Sequence, residues 1–196
     1  RLLGGEAGLH VLDYEDSVDG PGDKIRAAGV SNYSAKQMRT AHAELARRGL
    51  PLASNQVQYS LLHRDPDING VLDTCRELDV TLIAYMPLAA GALTGKYSAT
   101  ARPAGWRRYM RHFRGKNLAV LNELLELLFE IGRRHGTGPS QVALRWLMQQ
   151  DGVLPIAGAK NAGQARQNAE ALTFSLDDDE LDALDRATAP QSKRRR

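Results

Sequence analysis

Hydroxyl, amide and aromatic side chains end or interrupt three short apolar runs of this sequence. The candidate ligand contacts among them are Ser31, Asn32, Gln56 and Tyr85. Hydroxyl and amide groups can hydrogen-bond an amide on a ligand, and an aromatic ring can present its face to a flat ring. Structural roles compete with these: a turn and helix cap, a strand-end partner, or core packing. Composition favours the structural role for Ser31 and Asn32 and leaves both roles open for Gln56 and Tyr85.

Two segments that combine glycine with lysine are candidates for a phosphate site. In the first, Gly91 to Lys96, the glycines allow close backbone approach and the lysine can meet a phosphate, although this motif is weak alone. In the second, Gly158 to Asn161, Lys160 precedes a helix N-terminus, whose free amides attract anions. That helix continues with the amide side chains Gln164, Gln167 and Asn168. Because Asn161-x-x-Gln164 is also a capping-box pattern, a structural role stays open.

Familiar catalytic and cofactor motifs are absent from the sequence. It contains no G-x-x-x-x-G-K-[ST], no G-x-G-x-x-G, no G-x-S-x-G and no His/Cys spacing typical of a metal site, so we predict no metal. The single cysteine, Cys75, lies on an apolar helical stripe with Ile68, Val71, Leu72 and Leu78. We therefore predict that Cys75 fills the core and is not a nucleophile.

Four apolar runs, each followed by a helical segment, must position these groups. The runs are Ile25–Asn32, Pro51–Tyr59, Val80–Leu88 and Val153–Asn161. Their alternation with helices predicts an α/β fold with parallel strands, in which ligands bind at the carboxyl ends of the strands. Helix starts are indicated at Ser34 and Asp177, each with Gln or Glu three residues on, and at Pro139.

Length and composition are typical of one globular domain. Of 196 residues, 42% are hydrophobic and 25% charged, and no run approaches the ~20 apolar residues of a membrane span. We predict an irregular segment at 1–24, one domain at 25–188 and a basic disordered tail at 189–196. The first residue is arginine, from which we expect an excised or incomplete chain. The single cysteine is compatible with a reducing compartment such as the cytoplasm, which the sequence does not identify further.

Basic residues are concentrated in two places. The last four residues carry +4, so the net charge of +3 becomes −1 without them. The long connection from Ala89 to about Lys116 interleaves aromatic residues with Arg102, Arg107, Arg108, Arg111, Arg114 and Lys116. This pattern also occurs in nucleic-acid-binding segments. A charged lid over a phosphate-bearing cofactor is the more economical interpretation, so we predict neither a nucleic-acid nor a membrane partner.

Five ordered motifs resemble the C-terminal half of an aldo-keto reductase, especially the plastid, cyanobacterial and potassium-channel β-subunit-like branch. They are GVSNYS (29–34), SNQVQYSLLHR (54–64), LIAYMPLAAGALTGKY (82–97), SQVALRWL (140–147) and LPIAGAKNAGQARQNAEAL (154–172). The resemblance covers about residues 25–188. It implies a partial (β/α)8 TIM barrel of about four C-terminal βα units and binding of NADP(H) in extended form.

The resemblance also assigns residues to the parts of the cofactor. Ser31, Asn32 and Gln56 would hold the nicotinamide carboxamide, and Tyr85 would stack on its ring. The loop containing Leu88, Gly91, Leu93 and Lys96 would wrap the pyrophosphate. The segment with Gly158, Lys160 and Gln164 would meet the adenosine 2′-phosphate, while Gln167 and Asn168 would bind adenine. Met86 departs from the serine common at this place in the family, which removes one polar cofactor contact.

The family's catalytic tetrad of aspartate, tyrosine, lysine and histidine has no matching motif in this sequence. His10 and Tyr14 lack the family's flanking residues, so we assign no catalytic residue. We expect a truncated NADP-dependent oxidoreductase that is inactive alone, with a small carbonyl compound as substrate once the missing half is supplied. The alternative is a non-catalytic NADP(H)-binding regulatory or sensor subunit. Exposed sheet edges would also permit self-association.

Overall fold

The computed structural model describes residues 8–11, 26–97, 103, 105–113 and 116–189. The strands are β1 (Gly8–Val11), β2 (Ala28–Ser31), β3 (Leu52–Gln58), β4 (Thr81–Tyr85) and β5 (Val153–Pro155). The α-helices are α1 (Ala35–Ala46), α2 (Val71–Glu77), α3 (Lys116–Arg134), α4 (Pro139–Met148), α5 (Ala162–Ala169) and α6 (Asp178–Thr188). Short 3-10 turns lie at Asp65–Asp67, Ala89–Thr94, Gly105–Tyr109, Arg111–Phe113 and Glu170–Leu172. Beyond residue 189, the predicted basic tail lies outside the described residues.

The strands form one sheet in the order β1-β2-β3-β4-β5. The pairs β2–β3 and β3–β4 are parallel and helices follow them in the chain, which confirms the predicted α/β class. The prediction of an irregular segment at 1–24 is wrong at residues 8–11, because β1 pairs antiparallel with β2. Four residues are too few to show a periodic pattern, and the hydrogen bonds that make them a strand come from β2. β1 therefore covers the edge of β2 that would be exposed in a sheet of the four predicted strands alone.

The two faces of the sheet differ in character. Side chains alternate along a strand, so residues aligned by the register share a face. On the face towards α1 and α2, Val30, Asn55, Leu82 and Ala84 are at most 1% exposed. The opposite face carries the half-buried side chains Ser31, Gln56, Gln58, Ile83 and Tyr85, which are aligned by the register. This second face is mostly polar, so it can present hydrogen-bonding groups.

The described residues fall into two compact units. The first comprises the described parts of 1–58, 65–85 and 151–154, and the second those of 59–64, 86–150 and 155–196. In the second unit, α3 and α4 build a core from the buried residues Leu121, Leu125, Leu128, Ile131, Val142, Ala143, Trp146 and Leu147. Leu118, near the start of α3, is only half-buried. A single domain over 25–188 stays a prediction.

The predicted helix starts are confirmed. Ser34 with Gln37, and Asp177 with Glu180, form capping boxes, and α4 begins at Pro139. The predicted stripe around Cys75 is wrong at Ile68, which is 58% exposed, because α2 begins only at Val71 after a separate 3-10 turn. Within the described part of the chain, no helix combines the length and apolarity that crossing a bilayer requires.

Cys75 is expected to resist alkylation in the folded protein. The thiol is 1% exposed, and burial raises its pKa to about 12. Only about one molecule in ten thousand would carry the reactive thiolate at pH ~8. Because the folded pKa lies above the unfolded one, this group's contribution to stability is present below pH ~9 and is lost as the pH rises towards about 12. Mass spectrometry after iodoacetamide treatment should show modification in urea but not in buffer; equal labelling in both would contradict the buried position.

Candidate functional site

Three neighbouring strands bring the predicted residues Ser31, Asn32, Gln56 and Tyr85 into one hydrogen-bonded cluster in the first unit. Ser31 ends β2 and lies opposite Gln56 of β3 in the register. Its Oγ donates to the Gln56 carbonyl over 3.1 Å, and Asn32 Nδ2 donates to Ser31 Oγ over 3.3 Å. Tyr85 ends β4, and its hydroxyl donates to Asn32 Oδ1 over 3.3 Å. The sequence predicted that these residues share a site but gave no indication of the Tyr85–Asn32 contact.

Asn32 stands in an unusual backbone conformation directly after β2. Its φ is +56°, in the left-handed region that asparagine tolerates better than most residues. In this conformation its N–H still donates to the Gln56 carbonyl over 2.9 Å. The Gln56 carbonyl therefore accepts two bonds, from the Asn32 backbone and from the Ser31 hydroxyl. Both turn-forming and ligand-facing roles remain compatible with Asn32.

Asn55 and Gln56 are neighbouring polar residues of β3. Their side chains point to opposite faces of the sheet and have different roles. Asn55 is fully buried; its Nδ2 donates to the Tyr33 carbonyl over 3.0 Å and its Oδ1 accepts from the Tyr33 N–H over 3.3 Å. Nδ2 also lies 3.1 Å from the Met38 sulfur of α1. Asn55 thus ties β3 to the loop before α1. Its neighbour points to the other face because strand side chains alternate.

The Gln56 side-chain amide is the uncommitted polar group of this cluster. It is half-buried, and within the described part of the chain it forms no hydrogen bond. A primary amide presents both a donor and an acceptor, which is the complement of another carboxamide. The half-buried Tyr85 ring belongs to the same sheet face and offers a flat apolar surface. The residues present therefore fit an aromatic ring that carries a carboxamide.

The first glycine-lysine segment forms a tight loop in the second unit. Left-handed backbone occurs at Met86 and at each residue from Ala89 to Gly91. The φ of +92° at Gly91 favours glycine, and a Cβ there would lie 3.1 Å from Lys96 Cε and 3.2 Å from Lys96 Nζ, so the flexible lysine side chain would have to shift slightly. The same Nζ lies 4.8 Å from the centroid of the Tyr97 ring. The exposed lysine ammonium therefore lies close to Gly91 and to the Tyr97 ring.

Leu88 and Leu93, both predicted as cofactor contacts, shape this loop. The Leu88 carbonyl accepts hydrogen bonds from the N–H groups of Gly91 and Leu93, at 2.9 and 3.3 Å. The Leu93 side chain is fully buried, so it belongs to the core of the second unit. A ligand contact of Leu93 would therefore come from its backbone, whereas the side chains of Leu88 and Lys96 are half-buried and exposed respectively.

The second glycine-lysine segment lies between β5 and α5. Asn161 Oδ1 accepts from the Gln164 N–H over 2.9 Å, and Gln164 Oε1 accepts from the Lys160 N–H over 2.8 Å. Asn168 Nδ2 donates to the Gly158 carbonyl over 3.3 Å. The structural role for Asn161 and Gln164 that the capping pattern left open is thus present. The side chains of Lys160 and Gln167 are exposed, and within the described residues Lys160 forms no ion pair.

Metal chemistry has no evident centre in the part of the chain that is described. Residues 8–11, 26–97, 103, 105–113 and 116–189 hold no group of three or more His, Cys, Asp or Glu side chains that could bind an ion. The predicted site residues instead form a strand-end cluster in the first unit and two loops in the second.

These elements define a partial (β/α)8 barrel of the kind found in barrel oxidoreductases. The chain belongs to the aldo/keto reductase family, whose sequence model matches residues 22–189. It is 40% identical over 169 residues to the chloroplastic pyridoxal reductase of Arabidopsis thaliana, covering 86% of this chain and 45% of that protein. It is 35% identical over 161 residues to the L-glyceraldehyde 3-phosphate reductase of Escherichia coli, covering 78% and 46% respectively.

A further relative and a solved structure agree with this assignment. The aldo-keto reductase yakc [NADP(+)] of Schizosaccharomyces pombe is 35% identical over 161 residues, covering 79% of this chain and 46% of that one. The crystal structure of a thermostable aldo-keto reductase in complex with the inhibitor epalrestat superimposes with a TM-score of 0.60 at 25% identity, covering 80% of this chain and 46% of that one. The predicted family and the partial barrel are confirmed. The chain spans about half the length of the relatives it matches.

Proposed function

We propose that this chain is the cofactor-binding half of an NADP(H)-dependent carbonyl reductase. The observation that carries the proposal is the uncommitted Gln56 amide, which shares a sheet face with the Tyr85 ring. A nicotinamide would pair its carboxamide with Gln56 and stack on Tyr85, with Ser31 and Asn32 fixing the strand end. When bound, the cofactor supplies the hydride; the residues of this chain bind and orient its ring.

The two lysine loops support a phosphate-bearing cofactor. Lys96 would meet the pyrophosphate, helped by the left-handed backbone around Gly91, which can turn N–H groups towards an anion. Lys160 would meet the adenosine 2′-phosphate, since its exposed ammonium has no described ion pair. Gln164 and Asn168 hold the loop that carries Lys160 against α5, through their hydrogen bonds to the Lys160 N–H and the Gly158 carbonyl. The name of the Schizosaccharomyces pombe relative, which specifies NADP(+), agrees with a 2′-phosphate site.

The chain lacks the family's tetrad motif, so we propose that carbonyl reduction requires a proton donor from outside these 196 residues. A hydride delivered to a carbonyl leaves an alkoxide, which needs a proton or a stabilising charge. The same cofactor-binding residues would serve a non-catalytic NADP(H)-binding sensor. Both proposals require cofactor binding, which is therefore the first property to measure.

NADPH is expected to bind saturably, and Lys160→Met is expected to weaken that binding about tenfold, because a charge-assisted contact to the 2′-phosphate is lost. NADH, which has no 2′-phosphate, should bind the variant and the wild type equally. Fluorescence titration of the reduced nicotinamide gives both affinities. Lys36→Met removes an exposed lysine of α1 and serves as the matched control. Absence of saturable NADPH binding would refute the proposed function, and equal losses for NADPH and NADH would refute the role of Lys160.

A further inference from the structure

The donor and acceptor of each hydrogen bond among the strand-end residues follow from one group, the Gln56 carbonyl. The Gln56 carbonyl oxygen can only accept, and Ser31 Oγ lies 3.1 Å from it, so the single hydroxyl proton of Ser31 is committed to Gln56. Ser31 Oγ must then accept from Asn32, which places Nδ2 and not Oδ1 at the 3.3 Å contact. The orientation of the Asn32 amide is therefore determined, and Oδ1 is the atom that meets Tyr85.

Tyr85 forms the last hydrogen bond of this series, on the other side of Asn32. Its hydroxyl lies 3.3 Å from Asn32 Oδ1, an acceptor, so the phenol is the donor. We propose that the Tyr85 hydroxyl positions the Asn32 side-chain amide, so that Tyr85 acts through its hydroxyl as well as through its ring. The consequence for the cofactor rests on the proposed function, whereas the positioning of Asn32 does not.

Asn32 is a residue for which such positioning matters. Its backbone is held at φ +56°. A flip of its side-chain amide by about 180° would exchange Oδ1 and Nδ2 with little change in shape. Rotation would place Oδ1 against Ser31 Oγ, whose proton is already used, so two acceptors would face each other. The Tyr85 hydroxyl opposes that rotation and so fixes which way the Asn32 amide faces. On the proposed function, a nicotinamide carboxamide would meet a strand end whose side chains are already ordered, which lowers the cost of ordering on binding.

The test compares two variants that each remove one phenolic hydroxyl and keep the ring. Tyr85→Phe removes the donor to Asn32, whereas Tyr33→Phe removes a half-buried hydroxyl of the adjacent loop that forms no hydrogen bond within the described residues. The first measurement is the NMR signal of the Asn32 side-chain amide in the protein without cofactor. We expect Tyr85→Phe to shift this signal and to accelerate its hydrogen exchange, and Tyr33→Phe to leave it unchanged.

The second measurement is the NADPH affinity of the same variants. We expect Tyr85→Phe to weaken binding about three- to tenfold. In an Asn32→Gly background, where the positive φ is tolerated but the amide is gone, Tyr85→Phe should cause no further loss. Such non-additivity separates positioning of Asn32 from a general loss of stability.

Two results would overturn the inference. One is an Asn32 amide signal that is identical in wild type and Tyr85→Phe, because the contact would then have no influence on Asn32. The other is an equal loss of affinity on Tyr85→Phe with and without the Asn32 side chain. If the wild type binds no NADPH, the proposed function fails, while the Asn32 amide signal still decides whether Tyr85 positions that side chain.

Discussion

With aldehydes or ketones as substrates, this 196-residue chain is expected to oxidise NADPH at least about a hundredfold more slowly than a full-length reductase that has the proton donor. A positioned general acid contributes about 10²- to 10⁴-fold to such a step, and the tetrad that provides it in the family has no counterpart motif here. The Tyr85 hydroxyl is engaged with Asn32 Oδ1, and we assign it no role in proton delivery. Cys75 cannot take that role, since it is buried with a pKa of about 12.

The measurement is the loss of NADPH absorbance with a panel of small aldehydes and ketones, at protein concentrations above the measured dissociation constant. The positive control for turnover is the L-glyceraldehyde 3-phosphate reductase of Escherichia coli, assayed with the compound in its name. A rate for this chain within about a hundredfold of the control would contradict the proposal that proton delivery lies outside it. Saturable binding with a rate below that threshold is the expected pair of results.

The sequence predicts the order of the elements better than their ends. The run Val80–Leu88 is continuous in composition, yet β4 ends at Tyr85, because Met86 takes a left-handed backbone and Pro87 cannot donate to a neighbouring strand. The strand β1 was missed for a related reason. Its four residues carry no pattern of their own and become a strand by pairing with β2.

Site residues could be located from the sequence, but their partners could not. The position of Ser31 at a strand end is a local property, whereas its bond to the Gln56 carbonyl depends on the register between β2 and β3. The same register separates Asn55, which binds the Tyr33 backbone, from Gln56, which stays uncommitted. Register is set by packing across distant parts of the chain, so no short motif reports it.

The largest effect on stability is expected from Trp146→Ala in the second unit, which should lower the free energy of unfolding by about 3–5 kcal/mol. Trp146 is fully buried, with its Nε1 donating to Asp185 Oδ1 over 3.2 Å and its ring 5.5 Å from that of Tyr59. The guanidinium of Arg64 lies 4.5 Å from the indole centroid. The same Arg64 donates to Asp185 and Thr188 of α6, at 2.9 and 2.8 Å. Trp146 therefore joins α4, α6 and the loop after β3.

A graded series separates these contributions, with urea unfolding followed by circular dichroism as the measurement. Trp146→Phe keeps an aromatic ring beside Tyr59 and Arg64 but loses the indole N–H, so it should cost about 1–2 kcal/mol. It also remains measurable if Trp146→Ala does not fold. Leu172→Ala, at a residue that is 68% exposed, is the matched control and should stay within about 0.5 kcal/mol of the wild type. If the Phe variant lost as much as the Ala variant, the hydrogen bond to Asp185 and not ring packing would hold these elements together. If neither lost more than Leu172→Ala, the cluster would contribute nothing to the fold.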